Sequence, residues 1–305
     1  MNPFFNQAEN RPRVLIRIVV FLFLGIILLG FSVGFDLYGF EYLFAGVIIL
    51  AFFHIFYRFI DQRSSLKEAG ISPSKTWFLE FFVGSIAAAS AMSLIFGIQW
   101  LTGDITIQGY AWNRVSSTFW LIPALGYFVK MLSVGLYEEL QFRSYLIPNM
   151  KEGLTFGKVT PVQASLLAVF LSSALFGVAH IFNPNATFFS TVNILLAGIM
   201  LAFPYLLTGR LAYSVGIHFA WNYVQGGVFG FKVSGTENFY SLLTLQHHGN
   251  PIWTGGKFGP EGGIIGLLGI MIVSLIVYAH IKRSNKEIEL NVMFKQRFLE
   301  NQQQQ

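Results

Sequence analysis

The chain has 305 residues, of which 54% are hydrophobic and only 11% are charged, and its mean hydropathy is +0.56. A soluble domain normally carries about 25% charged residues, so the composition indicates a polytopic membrane protein. The net charge of +5 would suggest nucleic-acid binding in a soluble chain, but basic residues gathered on one side of a membrane explain it better. The chain has no cysteine, which excludes disulfides, thiol nucleophiles and Cys-based zinc sites. Any catalysis must therefore use oxygen and nitrogen groups.

About eight stretches are long and apolar enough to cross a bilayer, which takes roughly 20 residues per helix. In lipid the backbone must satisfy its own hydrogen bonds, and no alternating barrel pattern is visible, so these stretches are predicted to be helices. The predicted fold class is all-α. The predicted spans are Val14–Val33, Phe40–Phe59, Trp77–Ile98, Phe119–Leu146, Gln163–Phe182, Phe188–Leu207, Leu211–Phe231 and Gly263–His280.

The order of the spans divides the chain into four parts. These are helices 1–3 (residues 1–118), a core of helices 4–7 (119–231), an outer loop (232–262) and the last helix with its tail (263–305). Placing both termini in the cytoplasm puts most of the 20 basic residues on the inside. The first apolar stretch is longer than a signal-peptide core, so we expect it to be retained. These features predict a multi-pass membrane protein, and the short loops, the lack of cysteine and the chain length indicate a bacterial inner membrane.

An acidic motif, YEELQFR at residues 137–143, lies inside the fourth predicted span. Ionisable groups at membrane depth are costly and usually mark a functional site. On a helix, residues four apart share a face and adjacent residues do not, so Glu139 can pair with Arg143 while Glu138 projects elsewhere. Glu139 and Arg143 are therefore predicted to be structural. Glu138, left without a basic neighbour, is the candidate general base.

Two further spans carry polar side chains. The fifth ends with an F-x-x-x-H motif at His180, and the seventh carries His218 and Asn222 four residues apart on one helical face. Each alone could be an interhelical hydrogen bond, but together with Glu138 they predict a polar cavity between spans 4, 5 and 7. Counting residues puts His180 nearer the outer face than Glu138. Either the fifth span starts deeper in the bilayer, or its helix breaks near Gly177.

The three motifs, E-E-x-x-x-R at 138–143, F-x-x-x-H at 176–180 and H-x-x-x-N at 218–222, occur in this order. They resemble those of the CPBP (CAAX protease and bacteriocin-processing, ABI) family of intramembrane endopeptidases, which includes the type II CAAX prenyl endopeptidases. The resemblance covers roughly residues 119–231. It implies a glutamate-dependent peptidase in an eight-helix fold, acting on membrane-associated or lipidated proteins.

The resemblance also implies a role for each matching residue. Glu138 and His180 would activate a water molecule, and His218 and Asn222 would stabilise the tetrahedral oxyanion. The implied partners are membrane lipids and a peptide or protein substrate, with no nucleic acid. A neutral amide on a rigid helix, such as that of Asn222, is also a suitable preorganised donor on physical grounds.

Other readings remain open at this point. No cofactor is expected to be required, but Glu138, His180 and His218 have the ligand types of a catalytic zinc site. Against zinc, the H-E-x-x-H signature is absent, since Phe219 follows His218. A non-catalytic peptide-binding scaffold or immunity-type protein, or a proton-relaying transporter, would also use such groups, although the inverted repeats typical of a transporter are not visible. Lys130 either snorkels to the interface or lines a water-filled cavity.

Overall fold

The computed structural model describes residues 4–7, 9–34, 36–63, 66–114, 119–284 and 289–296. Helices dominate this part of the chain. They are α1 (Val14–Ser32), α2 (Glu41–Phe59), α3 (Lys75–Leu101), α4 (Ala111–Arg114), α5 (Leu121–Glu139), α6 (Ile147–Leu154), α7 (Pro161–Ala179), α8 (Phe188–Thr208), α9 (Ala212–Asn222), α10 (Pro251–Thr254), α11 (Ile264–Ser284) and α12 (Val292–Lys295). The strands are β1 (Phe5–Asn6), β2 (Arg11–Pro12), β3 (Ile105–Tyr110) and β4 (Leu243–His247).

Six of the described helices are long and apolar enough to cross a membrane. They are α1, α2, α3, α7, α8 and α11. They coincide with six of the predicted spans, so the helical, multi-pass part of the prediction is confirmed for these. Their outward faces carry many exposed leucine, isoleucine and phenylalanine side chains, as expected of surfaces that meet lipid.

The other two predicted spans, Phe119–Leu146 and Leu211–Phe231, are helical but interrupted. The first consists of α5 followed by a π-helical segment, Leu140–Leu146, which leads directly into α6. The second consists of α9 and a π-helical segment, Tyr223–Val228. Segments of π-helix are rare and occur mostly at functional sites. Both lie next to a predicted catalytic motif.

Helix α9 is the central element of the bundle. All its residues from Ala212 to Trp221 are buried, and it packs against α3, α5 and α8. Small residues allow the close approach to α3: a Cβ on Gly84 would lie 2.7 Å from the Tyr213 carbonyl oxygen, and one on Gly216 would lie 2.1 Å from that of Phe81. Small residues are the usual means by which membrane helices pack closely. The helix carrying His218 is therefore held rigidly.

A small antiparallel sheet joins the segment after α3 to the predicted outer loop, residues 232–262. Strand β3 pairs with β4, with Ile105 opposite His247 and an irregularity between Ile107 and Gly109. The burial of β3 alternates along the strand, which is the period expected of a half-buried strand. The predicted all-α class thus holds for the membrane part, while the loops contribute a few strands.

A buried ionic cluster joins the start of α1 to the end of α2 and to α6. Arg17 of α1 is 1% exposed, and it pairs with Asp61 after α2 and with Glu152 of α6 at 2.5 Å. Asn149 of α6 also accepts a hydrogen bond from Arg17 at 2.9 Å. These contacts anchor α6, and with it the π-helical segment that begins inside the acidic motif.

The segment 289–296 returns to the same end of the bundle. Phe294 is fully buried and its ring packs against Tyr205 of α8, while the Lys151 ammonium donates to the Met293 and Gln296 carbonyl oxygens. The remainder of the predicted tail, residues 285–288 and 297–305, lies outside the described residues.

Candidate active site

A cavity of about 640 Å³ opens inside the helical bundle. The four residues proposed from sequence as catalytic all line it: Glu138, His180, His218 and Asn222. They come from α5, the end of α7, and α9. The first residues of α2 and the segment between Val233 and Tyr240 also contribute to its wall. The structure therefore brings the three motifs to one internal space.

Glu138 presents a carboxylate to this cavity. Its side chain is 20% exposed, and its Oε2 atom is buried without a hydrogen bond from any described residue. The closest basic atom is His218 Nε2, at 3.7 Å from Oε2, which is too long for a direct hydrogen bond. A separation of 3.7 Å is one that a single water molecule, about 2.8 Å from each atom, can bridge.

Glu139 does not line the cavity and is fully buried. Its Oε1 atom lies 3.0 Å from Arg143 Nη1 and accepts a hydrogen bond from His218 Nδ1 at 2.8 Å. Arg143 is 1% exposed and donates to the Gly198 carbonyl of α8 at 3.3 Å. The four-residue spacing thus produces the ion pair that it predicts, and the pair also holds α8 and α9.

The hydrogen bond to Glu139 determines whether the His218 nitrogen that faces the cavity is a donor or an acceptor. A carboxylate can only accept, so Nδ1 must carry the proton. In a neutral imidazole the other nitrogen, Nε2, then presents a lone pair, and it becomes a donor only in the imidazolium form. His218 Nε2 can therefore accept a proton from a water at Glu138 or, once protonated, donate to an oxygen. The carboxylates of Glu138 and Glu139 would neutralise that charge.

His180 follows α7 directly and caps it. Its Nδ1 donates to the Phe176 carbonyl at 2.7 Å, so Nε2 is the acceptor of the neutral ring. Helix α7 runs unbroken from Pro161 to Ala179, so the break near Gly177 that we considered from the sequence does not occur. The histidine reaches the cavity because the helix ends there.

The ring of Phe176 contacts the Arg143 guanidinium and the imidazole rings of His180 and His218. The Arg143 guanidinium lies 4.4 Å from the centre of its ring, within the range of a cation–π contact. The rings of His180 and His218 pack edge-on against it, at 4.8 and 5.9 Å between centroids. Sequence reasoning recognised Phe176 only as a motif letter. Its contact with both histidines depends on tertiary packing that places Phe176 of α7 beside His218 of α9, which the spacing of the motifs does not reveal.

Asn222 is the last residue of α9, and the π-helical segment Tyr223–Val228 begins immediately after it. It lines the cavity one turn beyond His218, as expected for residues four apart. Within the described residues, no three His, Asp or Glu side chains are arranged to hold a metal ion.

Sequence reasoning missed a further carboxylate in the cavity wall, that of Glu261. It lies in the 3₁₀ turn Pro260–Gly262 before α11 and is 5% exposed. Its oxygens accept hydrogen bonds from the Gln225 amide and from the backbone and hydroxyl of Ser234, at 2.5 and 3.3 Å for Ser234. Burial raises the pKa of Glu261 to about 7. Because this turn lies in a predicted outer loop, no periodicity marked it.

These observations describe an integral membrane protein whose helical core encloses a cavity lined by Glu138, His180, His218 and Asn222. Residues 119–224 match the family model of the type II CAAX prenyl endopeptidase Rce1-like proteins. The match includes all three motifs and confirms the resemblance seen in the sequence. This part of the chain is thus similar to a family of CAAX-type membrane proteases. No curated protein and no solved structure matches the chain.

Proposed function

We propose that the chain is an intramembrane glutamate-dependent endopeptidase that hydrolyses peptide bonds of membrane-associated or lipidated proteins. The observation that carries this proposal is the contrast between the two adjacent glutamates. Glu139 is fully buried and paired with Arg143 and His218, whereas Glu138 faces the cavity with a buried oxygen that has no hydrogen-bond donor among the described residues. A free carboxylate oxygen beside an imidazole is what a general base needs.

In the first step, Glu138 Oε2 takes a proton from a water molecule held between it and His218 Nε2. The resulting hydroxide attacks the scissile carbonyl carbon. In this scheme His218 is imidazolium from the start and donates from Nε2 to the water oxygen, while the lone pair of His180 Nε2, fixed by the Nδ1 contact with Phe176, accepts a hydrogen bond from the water proton that Glu138 does not take. The proton on Glu138 then passes to the leaving amine, so that the carboxylate is regenerated.

The tetrahedral oxyanion needs donors. Asn222 supplies a neutral amide at the end of a rigid helix, and a single such donor is worth about 2.7–4 kcal/mol of the barrier. His218 can donate from Nε2 only as imidazolium, and the Glu139 carboxylate at 2.8 Å from its Nδ1 compensates the charge of that form. Glu139 and Arg143 act in this scheme as positioning residues.

The proposal includes the surroundings of the enzyme. The protein would lie in a bacterial inner membrane with both termini in the cytoplasm, in accordance with its basic residues. Its partners would be membrane lipids and a membrane-associated peptide or protein, and the scheme above uses no metal or other cofactor. A zinc-dependent version of the same reaction and a non-catalytic peptide-binding scaffold are the alternatives.

The test is a comparison of protein N-termini in host membranes that contain the wild type or Glu138→Gln at matched levels. We expect new N-termini with the wild type that are lost in Glu138→Gln. A matched control is Glu289→Gln, which alters an exposed glutamate paired only with Lys295 and should leave the profile unchanged. Glu138→Gln replaces one carboxylate oxygen by an amide nitrogen of similar size, so the variant should still fold.

Each outcome decides between classes of function. Termini that need Glu138 would establish proteolysis and identify the substrates. Identical profiles with a folded Glu138→Gln protein would refute the peptidase and favour the scaffold. Loss of cleavage in the presence of a chelator, restored by zinc alone, would favour the zinc-dependent version.

A further inference from the structure

The cavity opens at one end of the helical bundle. Its wall is formed there by the turn before α2, the first half of α5, the end of α7, the segment 233–240 and the turn at Glu261. Asp36, Thr236 and Glu237 line the cavity and are exposed, so they mark its mouth. Among the described residues, none from the connections between α2 and α3, α6 and α7, or α8 and α9 lines the cavity.

Direct contacts hold the elements around the mouth together. The rings of Tyr38, before α2, and Tyr240 meet edge-on with 6.0 Å between their centroids. A Cβ on Gly126 of α5 would lie 2.1 Å from the Tyr38 carbonyl oxygen, and one on Gly235 would lie 1.8 Å from that of Pro184, which follows α7. The start of α2, the start of α5, the connection from α7 to α8 and the segment 233–240 therefore form one end of the bundle, the mouth end.

The other connections meet at the opposite end, which we call the basic end. The ionic cluster of Arg17, Asp61 and Glu152 lies there. The Gly70 carbonyl, between α2 and α3, accepts a hydrogen bond from the Leu211 N–H, between α8 and α9, at 3.0 Å. This end also carries exposed lysine and arginine side chains, those of Arg58, Lys67, Lys75, Lys158, Lys282 and Arg283.

The two ends differ in charge. At the mouth end the basic residues of the described connections are Arg114, Lys232 and Lys257, and Lys232 pairs with Glu237 at 3.3 Å. The side chains of Asp36 and Glu237 add exposed carboxylates at the mouth itself. Lysine and arginine collect in the cytoplasmic loops of membrane proteins. The asymmetry thus predicts that the basic end is cytoplasmic and that the mouth lies on the other face of the membrane.

We propose that the cavity opens to the extracytoplasmic face of the membrane, and that its substrates are polypeptides exported before they are cleaved. The scissile bond reaches Glu138 through the mouth beside Asp36 and Glu237, from the outer surface of the membrane. A transport step that carries the polypeptide across the membrane must therefore precede hydrolysis. The class of substrate rests on the proposed function, whereas the side on which the cavity opens does not.

The chain has no cysteine, so a single introduced cysteine reports unambiguously on sidedness. Three full-length variants carry one each: Glu237→Cys at the mouth, Val134→Cys in the cavity wall one turn before Glu138, and Lys158→Cys at the basic end. A small, charged methanethiosulfonate that does not cross a bilayer is added to spheroplasts and, separately, to inverted membrane vesicles. The thiols that stay unmodified are then measured after denaturation by a gel shift with a polyethylene glycol maleimide.

In spheroplasts we expect Glu237→Cys and Val134→Cys to react at least about tenfold faster than Lys158→Cys, because the lipid core excludes the charged reagent. In inverted vesicles the order should be reversed. The matched control is Leu275→Cys on the exposed, lipid-facing side of α11, whose thiol should react from neither side. The proposal is overturned if Glu237→Cys and Val134→Cys react only in inverted vesicles, or if Val134→Cys reacts no faster than Leu275→Cys.

The comparison of protein N-termini in host membranes tests the class of substrate separately. Termini that depend on Glu138 should lie in exported proteins or in extracytoplasmic segments of membrane proteins. Such termini in cytoplasmic proteins would refute the substrate class and leave the peptidase intact. An outward-opening cavity without any Glu138-dependent termini would refute the peptidase and leave the orientation of the cavity intact.

Discussion

The ion pair between Glu139 and Arg143 provides a quantitative test of the site's architecture. Arg143→Met keeps a long apolar side chain against Phe176 but leaves the Glu139 carboxylate, which is fully buried, without its cation. Breaking a buried pair from one side costs about 3–5 kcal/mol, because a charge is left uncompensated. At about 2–4 °C per kcal/mol, this lowers the melting temperature by roughly 6–20 °C.

The double variant Arg143→Met/Glu139→Gln separates the charge effect from the packing effect. It removes the buried charge, and the glutamine oxygen can still accept from His218 Nδ1, so we expect it to regain at least half of the lost stability. Thermal unfolding of purified protein in detergent, followed by tryptophan fluorescence, measures both changes. Arg283→Met, at the exposed end of α11, is the control and should leave the melting temperature unchanged. The reasoning fails if Arg143→Met behaves like this control or if the double variant is no more stable than the single one.

Two further predictions concern Glu261 and the central helix. Burial raises the pKa of Glu261 from 4.5 to about 7, so the folded state holds its proton more tightly, and stability should fall by about 3 kcal/mol as the pH rises from 4.5 to 7. Glu261→Gln should remove this fall, and equal pH profiles of melting temperature in both proteins would refute it. Gly216→Ala places a Cβ 2.1 Å from the backbone oxygen of Phe81 and should destabilise the protein by about 1–3 kcal/mol. The control is Gly97→Ala on α3, where the added Cβ would meet no atom within 4 Å; it should be neutral or stabilise the protein by up to about 1 kcal/mol. Equal unfolding temperatures for Gly216→Ala and Gly97→Ala would contradict the packing argument.

Local spacing predicted the parts of the site that lie on one helix. The pairing of Glu139 with Arg143 and the shared face of His218 and Asn222 both follow from helical periodicity. Long apolar stretches likewise predicted the six membrane-length helices, because the bilayer fixes their length and composition. These features depend on residues near one another in the sequence.

Features that depend on distant parts of the chain could not be predicted in the same way. The hydrogen bond from His218 to Glu139 joins residues 79 positions apart, and it arises from the packing of α5 against α9. The burial of β3 alternates along the strand. Both β3 and β4 are short, however, and they lie in segments that we predicted to be loops. The π-helical segments widen the helix by one residue per turn, and no residue type marks this change. The catalytic roles of Glu138, His180, His218 and Asn222 stay predictions.

The enclosure of α9 has a consequence for how the protein is assembled. Helix α9 and the π-helical segment that continues it have 11 and 6 residues, so at about 1.5 Å per residue they reach at most about 25 Å, less than the hydrocarbon thickness of about 30 Å. This short, buried span depends on the neighbouring helices that surround it. Its partners α3, α5 and α8 all precede it in the chain, so they are synthesised first. During biogenesis, the arrival of α9 brings His218 and Asn222 to Glu138, and later residues such as Glu261 and Ile270 then close the cavity wall.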